Sequence, residues 1–121
     1  MKGVLYTGTS GFAYPAWSPL FYPAGSRGSE LLPIYAAHLR ACELNNTYYR
    51  QATPERVASW AAATPDSFRF TVKAQRGGSV RALTSDPVGT IPWLTGSLAG
   101  FGSRLGSVLY RVPLEVERFT L

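Results

Sequence analysis

Scarcity narrows the reading of this sequence before any motif does. One cysteine, Cys42, excludes an internal disulfide and a cysteine-based zinc site. With a single histidine, His38, and only seven acidic residues, the chain cannot build the multi-ligand zinc centres of metal-dependent hydrolases. One magnesium ion held by Glu43 and water is the simplest metal arrangement still open. No apolar run approaches the roughly 18 residues needed to cross a bilayer. The opening Met1-Lys2-Gly3-Val4-Leu5-Tyr6 is too short in apolar residues for a signal peptide, so no membrane and a reducing cytoplasm are expected. Neither the dinucleotide nor the P-loop glycine spacing occurs.

What the chain has in plenty is aromatic and basic. Three Trp, seven Tyr and six Phe accompany 45% hydrophobic residues and a mean hydropathy of -0.02, the profile of a globular chain. Its 121 residues suit one domain with a real core. Twelve Lys and Arg against seven acids leave a net charge of +5, which favours anionic ligands or nucleic acid. The basic residues are scattered, so charge alone defines no site.

Alternation and capping signals order the chain. Val4 to Thr7 reads as a short strand ended by a Gly8-Thr9-Ser10-Gly11 turn, whose backbone amides would be free to face a ligand. Phe12 to Pro23 reads as an aromatic, proline-punctuated loop, with Trp17 and Phe21 plugging the core and Tyr14 placed as a lid. From Ser29 to Leu39 apolar residues recur at helical spacing, with Pro33 in the first turn. His38 falls near this helix's end, where a solvated role fits better than ligation. Ala41 to Asn45 alternates as a strand, with Cys42 as a buried, inert thiol. Thr53-Pro54-Glu55 is an N-cap, first helical residue and first-turn carboxylate, and Val57, Trp60 and Ala61 supply the helix's apolar stripe. Phe68 to Lys73 alternates as a third strand, and Gly77-Gly78-Ser79 reads as a break. A helix is expected around Trp93 to Leu105, and a fourth strand runs from Ser107 to Val112 until Pro113. Strand and crossover alternate, which implies α/β architecture with parallel (β/α) units.

Parallel strands deliver their carboxyl ends to one edge, where such folds keep their sites. Thr7 and Thr9, Glu43 and Asn45, Arg69, Thr71 and Lys73, and Arg111 share a parity on their strands, while the bulky residues largely take the other. A carboxylate inside a strand is costly to bury unless paired, so Glu43 beside Lys73 reads either as a structural ion pair or as a catalytic pair. In the second case Glu43 and Lys73 form the polar centre. Asn45 and Thr9 then orient a substrate, Tyr49 and Tyr14 stack on it, and Arg111 binds an anionic group.

Several of these stretches resemble the domain-of-unknown-function family 72, the YecE-like proteins. The resemblance rests on Gly8-Thr9-Ser10-Gly11-Phe12 with Tyr14, Trp17 and Phe21-Tyr22-Pro23, then on Glu43-Leu44-Asn45-Asn46-Thr47-Tyr48-Tyr49-Arg50. It continues through Trp60, Thr64-Pro65, Phe68-Arg69-Phe70, Val72-Lys73-Ala74 and Leu105-Gly106-Ser107-Val108-Leu109-Tyr110. It implies a TIM-barrel-like fold with a polar cleft at the strand ends, and it brings no activity or cofactor. Family members usually carry a Thr-His pair where this chain has Ser79-Val80, a Gln at Arg111, and a doubled proline where Pro113 is followed by Leu114. They are also about twice as long. Residues 1–121 are therefore expected to form a single (β/α)4 unit, half of a TIM-barrel-like fold, that is truncated, self-associates, or is completed by a second half-barrel chain. Three functions follow as expectations. These are an enzyme-type pocket for a small anionic or polyhydroxyl substrate, a nucleic-acid or polyanion binding module, and an inactive remnant or subunit that needs a second half.

Overall fold

A computed structural model describes residues 2–112 and 114, and the structural statements below concern those residues. One sheet holds four strands in chain order: β1 (Gly8–Ser10), β2 (Ala41–Leu44), β3 (Arg69–Lys73) and β4 (Leu105–Leu109). All three neighbouring pairs are parallel. The crossovers contain α1 (Gly28–His38), α2 (Pro54–Ala62) and, before β4, α3 (Arg76–Thr84) and α4 (Pro87–Gly96), followed by a 3-10 stretch Ser97–Arg104. This is an α/β fold of parallel (β/α) units, consistent with part of a TIM-like barrel.

Alternation along the strands separates the two faces of the sheet. Cys42, Leu44, Phe70 and Val72 are buried, and they join Tyr22, Leu32, Tyr35, Val57, Phe68, Leu98 and Phe101 in the main core under the helices. A smaller cluster of Ala74, Ala82 and Leu94 lies beneath α3 and α4. The opposite face carries the polar positions. β4 keeps this alternation only through a bulge: Leu105 pairs with Phe70 and Ser107 with Thr71, so Gly106 is an extra residue between them.

Local chemistry explains the helix starts. Thr53 accepts a hydrogen bond from the Arg56 amide at 3.2 Å, with Pro54 as the first helical residue of α2. Gln75 caps α3 by accepting from the Gly78 amide at 2.6 Å, and Asp86 caps α4 by accepting from the Gly89 amide at 2.9 Å.

Six expectations need correction. The first strand begins at Gly8 rather than ending before it, and Val4 and Leu5 are exposed. Nor are the turn's amides free: the Thr9 amide donates to the Tyr35 hydroxyl at 2.8 Å and the Gly11 amide to the Glu43 carbonyl at 2.8 Å. Gly77-Gly78-Ser79 lies inside α3, because a Cβ on Gly78 would stand 2.6 Å from Leu94 Cδ2 and 2.8 Å from Trp93 Cζ3. Glycine there permits the close approach of α4 instead of breaking the helix. The helix expected over Trp93–Leu105 is α4 ending at Gly96 plus the 3-10 stretch, which Gly102 interrupts with φ at 55°. Pro33 sits inside α1 beyond its first turn, and β4 ends at Leu109, leaving Arg111 past the strand. Pro113, expected to close that strand, lies outside the described residues.

Burial also sets a pH limit. It pushes the Cys42 thiol and the Tyr22 hydroxyl up to about 12, from ordinary values of 9.0 and 10.0. The folded state thus favours the protonated forms, and the unfolded chain ionises first as pH rises. This stabilisation is complete below pH 9 and is lost between about pH 9 and 12. The urea midpoint should be flat up to pH 9 and fall above it, with a shallower fall in Cys42→Ala. An identical alkaline slope in that variant would remove Cys42 as a cause.

Candidate functional site

The sheet face opposite the main core carries a row of polar side chains in register. Ser10 pairs with Glu43, Glu43 with Thr71, and Thr71 with Ser107. Two residues further along β3, and so on the same face, stands Lys73, beside Asn45 just beyond β2. These side chains close a ring. The Lys73 ammonium donates to Asn45 Oδ1 at 2.6 Å, and Asn45 Nδ2 donates to Ser10 Oγ at 2.6 Å. Ser10 Oγ donates to Glu43 Oε1 at 2.7 Å, and Lys73 Nζ lies 3.4 Å from the same oxygen.

The direction of these bonds follows from donor chemistry. Lysine has no acceptor, so Asn45 must turn its oxygen towards Lys73 and its amide nitrogen towards Ser10. The hydroxyl proton of Ser10 is then committed to Glu43. Among the described residues Glu43 Oε2 has no hydrogen-bond partner, and one ammonium proton of Lys73 is unassigned. Both side chains are about a quarter exposed (Lys73 24%, Glu43 26%), so the pair is open to a ligand.

Neighbouring elements hold this ring in place. Thr47 is buried, and its hydroxyl lies 2.6 Å from the Lys73 carbonyl and 3.0 Å from that of Leu44. It ties the segment after β2 to the end of β3. Gly11, at φ 79°, turns the chain so that the Tyr14 hydroxyl donates to the Ser10 carbonyl. Tyr14 is exposed and packs against Trp17 at a ring separation of 4.7 Å. Trp17 and Phe21 pack against the core, and the deepest aromatic of the loop is Tyr22, 1% exposed and donating to the Phe12 carbonyl.

The structure brings together Glu43, Lys73 and Asn45, with Tyr14 at their edge. Thr9 is on the other face: it pairs with Cys42 in register, and its Oγ1 stands 2.8 Å from the Tyr35 hydroxyl. The expected placement of Thr9 beside Glu43 is thus corrected, because the register pairs Ser10 with Glu43 and sends Ser10 to that face instead. Tyr49 is 81% exposed and meets the Tyr48 ring edge-on at 5.2 Å. Tyr48 is the aromatic at the site, with Lys73 Nζ 5.9 Å and Arg111 Cζ 6.0 Å from its ring centroid. Arg111 reaches the cluster through that ring. Ser79, where relatives were expected to carry a Thr-His pair, is buried and donates to the Gln75 carbonyl at 2.9 Å.

Sequence reasoning missed Ser10, Thr47 and Tyr48. Ser10 could have been found by letting the strand run through the glycine pair, which places it opposite Glu43. Among the described residues no group of three or more His, Cys, Asp or Glu side chains is placed to hold a metal ion, and no helix is long and apolar enough to cross a membrane.

A family model described as protein of unknown function DUF72 matches residues 6–119. Two crystal structures of a DUF72 family protein from Enterococcus faecalis V583 resemble the chain at 33% identity and a TM-score of 0.55. The matches cover 65% and 68% of this chain but only 31% and 35% of those proteins, so the likeness spans about a third of their length. No functionally curated protein matches.

Proposed function

The chain belongs to the DUF72 family, and we propose that its Ser10–Glu43–Asn45–Lys73 ring is an enzyme-type site for a small anionic or polyhydroxyl substrate. The observation that carries this reading is the closed ring itself, on the sheet face opposite the main core and with one carboxylate oxygen left unpaired among the described residues. A pair needed only for stability gains little at such exposure, because surface ion pairs contribute about 0–1 kcal/mol. Four side chains from the ends of three strands, ordered donor to acceptor, have instead the pre-organisation that proton transfer requires.

In this reading Glu43 Oε2 accepts a proton from a substrate hydroxyl or carbon acid. The Lys73 ammonium, held by Asn45, stands beside the negative charge that develops. Ser10 and Asn45 are positioning residues: they fix the carboxylate and the amine and leave each one free valence. Tyr48 and Tyr14 border the substrate, with Tyr48 presenting a ring face to both Lys73 and Arg111.

A thermal-shift screen of phosphorylated, carboxylated and polyhydroxyl metabolites tests this directly. Compounds that raise the Tm of the wild-type chain should lose that effect in Lys73→Met and Asn45→Ala, since a ligand stabilises only a state that binds it. Equal stabilisation of Lys73→Met by every hit would move the site elsewhere.

A further inference from the structure

Two cavities meet on the flank of this site. One, of about 270 Å³, runs from Gly11 and Tyr14 past Asn45 to Asn46, Arg56 and Trp60. The other, of about 260 Å³, lies beyond the same Asn46, Arg56 and Trp60 and is closed by Arg50, Gln51 and Thr53. The first opens on the polar ring through Asn45, and the second is basic. No carboxylate among the described residues lines either one.

The two arginines are differently prepared. Arg56 lies with its guanidinium carbon 5.3 Å from the Trp60 ring centroid, on a side chain that is itself only 8% exposed. Stacking holds the planar group in one orientation while leaving its N–H edges unspent. The Arg50 side chain makes no hydrogen bond or ion pair with any described residue, its backbone amide alone donating to the Asn46 carbonyl at 3.3 Å. Gln51 is anchored by its side-chain nitrogen, which lies 2.9 Å from the Leu94 carbonyl and 3.2 Å from that of Trp93, so the wall between the arginines is tied to α4. Two guanidinium groups that share a cavity without a carboxylate are matched by a tetrahedral oxyanion, which accepts several N–H bonds at once.

We propose that the Arg50–Arg56 cavity binds the phosphate group of a small phosphorylated molecule whose remainder runs along Trp60 and Asn46 to the Glu43–Lys73 centre. Identifying this group as part of a substrate rests on the reading of the ring given above; the binding of phosphate at the arginines does not. The arrangement gives the site a direction. The anionic tail is held at the arginines, and the reacting end is presented to the carboxylate.

Titration of the full chain with inorganic pyrophosphate and glycerol phosphate, followed by amide and arginine side-chain NMR shifts, decides the matter. Shifts are expected at Arg50, Arg56 and the Trp60 indole, with affinity weakened at least about tenfold in Arg50→Gln and in Arg56→Gln. Lys73→Met should retain pyrophosphate binding, because that ion has no remainder to reach the Glu43–Lys73 end. Arg50 is exposed and its side chain has no hydrogen bond or ion pair among the described residues, so Arg50→Gln tests the cavity even if loss of the Arg56 stack perturbs α2. Absence of shifts at the arginines overturns the proposal, as does pyrophosphate binding unchanged in Arg50→Gln or abolished by Lys73→Met. Much tighter binding of a single-stranded oligonucleotide, falling steeply with salt, overturns the small-molecule assignment. Phosphate binding with an inert Glu43 would leave the subsite standing and remove the catalytic reading alone.

Discussion

Replacing Glu43 with glutamine should lower the turnover of a substrate found for this site by about 10²–10⁴-fold, the range typical of a lost general base. The exchange keeps the size of the side chain and an oxygen acceptor for Ser10, so the hydrogen bond now 2.7 Å long can persist. What disappears is the negative charge opposite Lys73 and the capacity of Oε2 to take a proton. Stability should scarcely move, because both partners of the 3.4 Å ion pair remain about a quarter exposed and are screened by water. The two readings of the pair therefore separate cleanly. A catalytic Glu43 predicts a large fall in kcat with a urea midpoint near wild type. A purely structural pair predicts the reverse, and unchanged turnover in a destabilised Glu43→Gln protein would end the catalytic assignment.

Gly8→Val is expected to be the most disruptive single change to the sheet. A Cβ at this position would stand 1.8 Å from the Ala41 carbonyl oxygen and 3.1 Å from the Tyr35 hydroxyl. Neither is the loose end of a flexible side chain. The carbonyl is backbone of β2, and it accepts from the Tyr35 hydroxyl at 2.8 Å; that hydroxyl in turn accepts from the Thr9 amide at 2.8 Å. Relief of the clash must pull β1 away and leave these groups unsatisfied, which together costs about 3–5 kcal/mol. Urea denaturation measures the loss. Hydrogen exchange at the Gly11 amide, which donates to the Glu43 carbonyl at 2.8 Å, shows whether β1 has detached locally. Gly28→Ala is the control: nothing lies within 4 Å of a Cβ there, and its effect should stay within about 0.5 kcal/mol. A Gly8→Val protein as stable as this control would show that β1 docks without the close approach at Ala41.

Much of the architecture could be read in advance because its signals are local. Alternation in Phe68–Lys73 marks a strand, and Thr53-Pro54-Glu55 marks a helix start without reference to anything distant. Two of the failures share one cause, which is that a glycine is ambiguous until its neighbours are known. Gly8 reads as a turn and is a strand position facing a carbonyl. Gly78 reads as a breaker and is a helical residue against Leu94 and Trp93. The misplacement of Thr9 is one of register, since pairing Ser10 rather than Thr9 with Glu43 exchanges the faces of every side chain on β1. Glu43, Asn45 and Lys73 escaped the difficulty because their own strands carry clear alternation. Tyr48 and Tyr49 could not be distinguished from sequence; which ring meets Lys73 depends on the 3-10 turn Asn46–Tyr48.

The bulge at Gly106 gives β4 an odd tolerance. The extra residue has no partner of its own on β3, so the pairing on either side of it does not depend on its presence. Excising that one residue would leave Leu105 opposite Phe70 and Ser107 opposite Thr71, whereas replacing Ser107 by valine would put a branched hydrocarbon where a hydroxyl now bonds Thr71 at 2.8 Å. Tolerance of substitutions along this segment therefore says nothing about its tolerance of deletions, and the two kinds of change obey separate rules.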